Sequence, residues 1–183
     1  MTPTEQVFDW LEHTALSMWV HGESMLAFPL ILVFHTIGMG FLAGIGAVIA
    51  LRILGLAPQV PLAILEKFYP VLWFAFAMNA ASGVLLFIGY PYKAFTNPVF
   101  YVKMFCVALG IYLIVRIRNE VLRAPIMASG QSAAPGASGA IALPRHARLL
   151  AILSLVSWAG AILAGRLLAY TYNWLHVGFK GGF

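Results

Sequence analysis

The chain has 183 residues, 62% of them hydrophobic and only 9% charged, with a formal net charge of +5. Soluble domains carry roughly 25% charged residues, so this deficit, with a mean hydropathy of +0.90, argues against a water-soluble fold and predicts an integral membrane protein whose first partner is the lipid bilayer. The basic residues gather beside apolar runs without interleaved aromatics, which argues against nucleic acid as a partner, and the single cysteine, Cys106, excludes an intramolecular disulfide or CxxC chemistry within the chain.

Residues 4–20, TEQVFDWLEHTALSMWV, are amphipathic. Val7, Leu11, Thr14 and Met18 share one helical face, with Phe8 and Ala15 beside it, while Glu5, Asp9, Glu12 and His13 fall largely elsewhere. The segment is too polar to cross a bilayer and is expected to lie in the interface as a helix. No Lys or Arg precedes Arg52, so the basic n-region of a cleavable signal peptide is missing and the first span is expected to stay as an anchor.

Four long apolar runs follow, at about 26–52, 66–89, 99–117 and 148–172. Each meets the need for about 20 apolar residues to cross the hydrocarbon layer. The links 53–65 and 90–98 are short, which predicts sequential antiparallel neighbours. The link at about 124–144 is rich in Ala, Ser, Gly and Pro and is expected to be a flexible loop. The expectation is a single all-α membrane domain, 1–183, built as a four-helix up-down bundle with an N-terminal amphipathic interfacial helix.

Basic residues orient the bundle. Arg52, Lys67, Arg116, Arg118, Arg123, Arg145 and Arg148 flank one side, against Lys93, Lys103 and Lys180 on the other. The positive-inside rule then puts the protein in the bacterial inner membrane with both termini periplasmic. Trp10, Trp19, Tyr90, Tyr92, Tyr101, Tyr170, Tyr172 and Trp174 would form an aromatic belt on the outer side.

The polar residues inside the spans are few. His35 lies about nine residues into the first run, too deep and too short to snorkel. Lys103 and Arg166 are placed at a similar level on the third and fourth spans, near enough to the interface that snorkelling is an alternative. Asn79, near the middle of the second span, suits a helix–helix hydrogen bond. Gly40 and Gly44 form a GxxxG step, and Ser157, Ala161 and Gly165 repeat small residues at every fourth position; both patterns permit close helix packing. His35, Gly38, Met39, Leu42 and Gly46 occupy a common face, which points the imidazole into the bundle.

An inward histidine in a membrane bundle is a candidate haem b ligand, with Arg166 and Lys103 as propionate partners and Met104 or Met78 as a sixth ligand. His146 lies at the opposite end, about 25–30 Å away along the normal, and His13, His21 and His176 lie outside the spans. A rival ligand set is copper on His35 and Met39, joined by Met78 or Met104, since thioethers suit Cu(I). All six acids, Glu5, Asp9, Glu12, Glu23, Glu66 and Glu120, lie outside the spans or at an edge, so there is no carboxylate proton relay. Hydrolytic triads, P-loops and dinucleotide fingerprints are absent.

The stretches DWLEHTALSMWVHGES, FHTIGMGFLAG and LRILGL resemble a family of small bacterial multi-pass membrane proteins of unknown function. The resemblance rests on Trp10, Leu11, Thr14, Ser17, Glu23, Ser24, His35, Gly38 and Leu51 to Gly55, and extends through Gly83, Lys103, Trp158, Gly165, Arg166 and Tyr170. It covers most of the chain except the 124–144 loop. The family pattern often has Asp where this chain has Ala50, so any role of that acid is missing here. The resemblance implies a four-helix membrane fold and no particular activity. Three functions remain open: a haem-b-type redox or quinone-linked subunit with His35 as ligand, a copper or small-solute membrane component, and a non-catalytic accessory subunit held by other membrane subunits.

Overall fold

A computed structural model describes residues 3–20, 26–56, 58–123 and 145–174, and among these it contains helices and turns but no strand. The elements are α1 (Pro3–Glu12), α2 (Ala15–Met18), α3 (Ala27–Leu54), α4 (Leu62–Glu66), α5 (Tyr69–Gly89), α6 (Pro91–Thr96), α7 (Pro98–Ile117), a π-helical turn (Arg118–Arg123) and α8 (Arg145–Trp174). Four segments are long and apolar enough to cross a membrane: Ala27–Leu54, Leu62–Gly89, Pro98–Arg123 and His146–Thr171. The 124–144 loop, His21, Glu23, Ser24, His176 and Lys180 lie outside the described residues.

The N-terminal segment is two helices rather than one. Thr14 interrupts it: its hydroxyl donates to the Leu11 carbonyl at 2.7 Å and accepts the Ser17 N–H at 3.3 Å, the arrangement of an N-cap. α1 then rests on α6 through Phe8 and Phe95, whose ring centroids are 5.0 Å apart. α2 rests on α5, and Val20 is fully buried against Gly89. Val7, Trp10, Met18 and Trp19 remain exposed.

α3 has 28 residues, about 42 Å of helix. It stops at Gly55, whose φ of 103° is left-handed, and the Leu56 N–H reaches back to the Leu51 carbonyl at 3.0 Å. Arg52 ties down the following turn by donating to the carbonyls of Val60 and Pro58 at 2.6 and 2.8 Å. At the other side of the chain, Asn97 caps α7 by accepting the Val99 N–H at 3.0 Å and donates to the Thr171 hydroxyl at 2.9 Å, which fixes the start of α7 to the end of α8.

The long helices form an open ring. α5 packs along α3, α3 along α8, and α8 along α7. Glycine makes each of these contacts close. Gly38 lies on Asn79 and Ala75 of α5, Gly46 and Gly110 sandwich the Trp158 indole, and Gly160 receives the Cys106 sulfur. The short link 90–98 predicts that α5 and α7 are antiparallel neighbours, and the two do touch. Their contact instead runs through large side chains: the Tyr69 hydroxyl donates to the Ile114 carbonyl at 3.0 Å, and Phe87 stacks on Phe100 at 5.9 Å. Bulky residues hold that seam apart where glycine closes the others.

The densest core lies around Leu42, Ile49, Ile53, Tyr69, Leu72, Ile114, Ile117 and Trp158. An ion network closes the same end. Glu66 pairs with Arg123 at 2.7 Å and Arg118 at 3.7 Å, and Glu120 pairs with Arg116 and, at 3.4 Å, with His146. The outer surfaces of the spans stay apolar, with Phe74, Phe105, Val156 and Leu163 all exposed. Such a surface suits lipid as solvent and not water.

Candidate polar centre between three helices

His35 sits eight residues beyond Ala27, about 12 Å along α3. Its ring meets α5. Nδ1 lies 3.1 Å from the Asn79 carbonyl oxygen and 3.1 Å from the Ser82 hydroxyl. Ser82 in turn donates to the Met78 carbonyl at 2.7 Å. A carbonyl only accepts, and the serine proton is already directed at one, so Nδ1 carries the hydrogen. Nε2 is then the ring's acceptor, and it faces the Lys103 Nζ of α7 at 3.2 Å. Asn79 closes the joint from the other side: its Nδ2 donates to the His35 carbonyl at 2.8 Å.

The result is a four-residue centre, His35, Asn79, Ser82 and Lys103, supplied by α3, α5 and α7. Asn79 and Ser82 are buried, and His35 and Lys103 are half-buried. Two glycines give it room. A Cβ on Gly83 would come within 3.2 Å of His35 Cε1, and a Cβ on Gly165 would touch only Lys103 Cε, at 3.8 Å. His35 and Lys103 share one polar contact between them, and protonating the imidazole there would set two cations 3.2 Å apart.

Of the residues singled out from sequence, the structure brings together His35, Lys103, Asn79 and Gly165. It separates others from them. Arg166 is exposed because it follows Gly165 by one position, about 100° around the helix from the side that meets Lys103. Met104 is 48% exposed for the same reason, being one residue past Lys103. Met78 and Met39 are half-buried, Met39 against the apolar core, and Tyr170 is exposed. Ser157 donates to the Cys106 carbonyl at 2.7 Å. Gly40 and Gly44 pack on no other helix among the described residues, since a Cβ at either would meet nothing within 4 Å. The packing glycines of α3 are Gly38 and Gly46. His146 belongs to the ion network at the far end, and His13 bonds the Asp9 carbonyl at 2.7 Å.

Ser82 was missed, and Gly83 was named only within the family resemblance, with no place at His35. Their signal was available in NAASG, Asn79 to Gly83, where a polar residue recurs three positions on and a glycine four positions on, on one face of an apolar helix.

The fit of a haem iron or copper ion follows from this geometry. A ligating imidazole does direct its other N–H at a carbonyl, as His35 Nδ1 does. Its free nitrogen, however, faces an ammonium rather than open space, and the proposed partners Met104 and Arg166 turn away from it. Among the described residues there is no group of three or more His, Cys, Asp or Glu placed to hold a metal ion. In this arrangement Nε2 is engaged by Lys103, so neither ion has an open position on the ring unless that side chain moves.

Comparison with family models, with curated proteins and with solved structures finds no match to this chain.

Proposed function

We propose that the protein is an inner-membrane small-solute component that handles its solute at the His35–Lys103 centre. The observation that carries the reading is the Nε2–Nζ contact of 3.2 Å in the apolar section of the bundle, with the other ring nitrogen held by Asn79 and Ser82. Polar and ionisable groups are expensive at such depth and mark function by default. An oriented acceptor and a cationic donor offer hydrogen bonds to a small polar solute. They do not offer a vacant coordination position, so the haem-b and quinone-linked readings, and the copper reading, rank below it.

Two features support an up-down-up-down bundle. Contacts between α3 and α5 run in opposite order, from His35 with Gly83 to Gly38 with Ala75. Those between α7 and α8 do the same, from Asn97 with Thr171 through Lys103 with Gly165 to Gly110 with Trp158. The seven-to-three distribution of flanking basic residues supports periplasmic termini, with α1 and α2 at the outer interface.

The test is osmotic. Vesicles of the purified chain are shocked with salts and with small neutral solutes, and shrinkage and recovery are followed by light scattering. Recovery faster than in protein-free vesicles, and lost in both His35→Asn and Lys103→Met, is the expected result. Recovery no faster than in protein-free vesicles for every solute would overturn the reading and favour the accessory-subunit role. A Soret band in the purified protein that His35→Ala removes would restore the haem reading.

A further inference from the structure

Lys103 brings a positive charge into the apolar section, and among the described residues no carboxylate pairs with it. Among the described residues, Glu66 is taken by Arg118 and Arg123, Glu120 by Arg116 and His146, and Asp9 lies beside His13. An ammonium has three N–H donors, and the structure gives Nζ one acceptor, His35 Nε2. That acceptor is neutral when it accepts, so the contact orients the ammonium without cancelling its charge. Charged groups inside a membrane normally pair with an opposite charge or with carbonyls. Among the described residues this one has no opposite charge paired with it.

The space beside it is also defined. On α8, the position facing Lys103 is Gly165, where a Cβ would lie 3.8 Å from Lys103 Cε. On the α5 side, Gly83 is in close contact with the imidazole, so that side is filled. A methyl is therefore tolerated beside the lysine stem at 165, while one at 83 would press on the imidazole.

Resting on the reading of this centre as a solute site, we infer that its ligand is a small monovalent anion, held by Lys103 Nζ on the Gly165 side. One ammonium matches one negative charge. His35 is a positioning residue: its Nε2 holds Nζ, and Asn79 and Ser82 hold the ring. The phosphate of an anionic lipid shares the same chemistry. The free ion is favoured because Nζ is held at His35, about 12 Å along α3 from its first residue.

The experiment uses the full chain in a neutral detergent and reads the thermal unfolding midpoint. Sodium gluconate is replaced by sodium chloride, nitrate or formate at constant ionic strength. In the wild type the midpoint rises with the small anions and saturates. In Lys103→Met the rise disappears, and in gluconate the variant melts at or above the wild-type midpoint, because the uncompensated charge has gone. Gly165→Val fills the anion's space and raises the half-saturating concentration about tenfold or more, while its gluconate midpoint stays near that of the wild type. The inference is overturned by a wild-type midpoint that is the same in all four salts, or by a salt response that survives in Lys103→Met. It is equally overturned if phosphatidylglycerol raises the midpoint and chloride does not, since the ligand is then a lipid phosphate. Should Lys103→Met fail to fold, the Gly165→Val titration decides, an unchanged half-saturation counting against the inference. The vesicle assay separates the two levels. Anion binding without any solute flux removes the solute-handling function and keeps the site; flux of neutral solutes with no anion response keeps the function and removes the anion.

Discussion

Gly38→Ala should damage the α3–α5 joint, and Gly40→Ala, two residues away, should not. A Cβ on Gly38 would lie 2.9 Å from Asn79 Cβ, 3.0 Å from the Ala75 carbonyl oxygen and 3.1 Å from the Asn79 nitrogen. Carbon contacts are comfortable at about 3.5–4.0 Å, so the helices must separate by roughly 0.6–1 Å at this point. None of the three atoms is the end of a flexible side chain, so the separation has to be taken by backbone. The Asn79 Nδ2 bond to the His35 carbonyl, 2.8 Å long, then stretches to about 3.5 Å and ceases to be a hydrogen bond. Overpacking costs about 1–3 kcal/mol, and one interhelical bond in a membrane adds roughly 0.6 kcal/mol. The expected loss is therefore about 1.5–3.5 kcal/mol. At Gly40 the added methyl meets nothing, so the cost should stay within about 0.5 kcal/mol of zero. Reversible unfolding in bicelles measures both. Equal destabilisation by the two substitutions would refute the packing direction of α3, and with it the inward placement of His35.

Trp158→Phe should be neutral or stabilising by up to about 1 kcal/mol, because the buried indole N–H has no hydrogen-bond partner among the described residues and phenylalanine keeps most of the ring; Trp158→Ala, measured in the same bicelles, should cost about 3–5 kcal/mol. Tyr69→Phe should lose roughly 0.6–1.5 kcal/mol by removing the bond to the Ile114 carbonyl across the seam, and a larger loss would mean that the seam depends on this bond more than on its apolar contacts. Glu66→Gln should change stability by less than about 1 kcal/mol, with the difference shrinking in high salt, since its pairs with Arg118 and Arg123 are partly exposed. A reporter fused at Gly136 should be active only in its cytoplasmic form; activity of a periplasmic reporter there would reverse the orientation.

Composition and run length carried most of the fold, because a bilayer allows few alternatives to a long apolar helix. What the sequence could not carry was which side of each helix looks inward. α3 is apolar all round, so no amphipathic contrast marks its buried side. Gly38 with Gly46 and Gly40 with Gly44 are both plausible small-residue pairs, and only the neighbour decides between them. His35 shares a face with Gly38, Leu42 and Gly46, and there the reading of an inward imidazole agrees with the burial of those three residues. Arg166 and Met104 show the limit of reasoning by level alone. Each is at the right height, and each is turned away by one residue's rotation. The break in the N-terminal segment was hidden for another reason: the apolar period runs through Thr14, and the cap is visible only once its hydroxyl is seen on Leu11 and Ser17.

The polar centre has one fixed side and one loose side. On the fixed side, Gly38 and Gly83 let α3 and α5 approach closely, so Asn79 and His35 exchange bonds through backbone carbonyls. Such bonds form only while the two helices keep their register, so residues here act on the fold first. On the loose side stands α7, which reaches the centre through the length of a single lysine, across a seam held apart by Phe87, Phe100 and Tyr69. A lysine stem has four rotatable carbons and can withdraw without moving a helix. Changes at Lys103 should therefore alter the charge of the centre more than stability, and changes at Asn79 the reverse. A centre built this way keeps its acceptor fixed in the bundle while its cation stays adjustable, an arrangement that helix packing alone does not require.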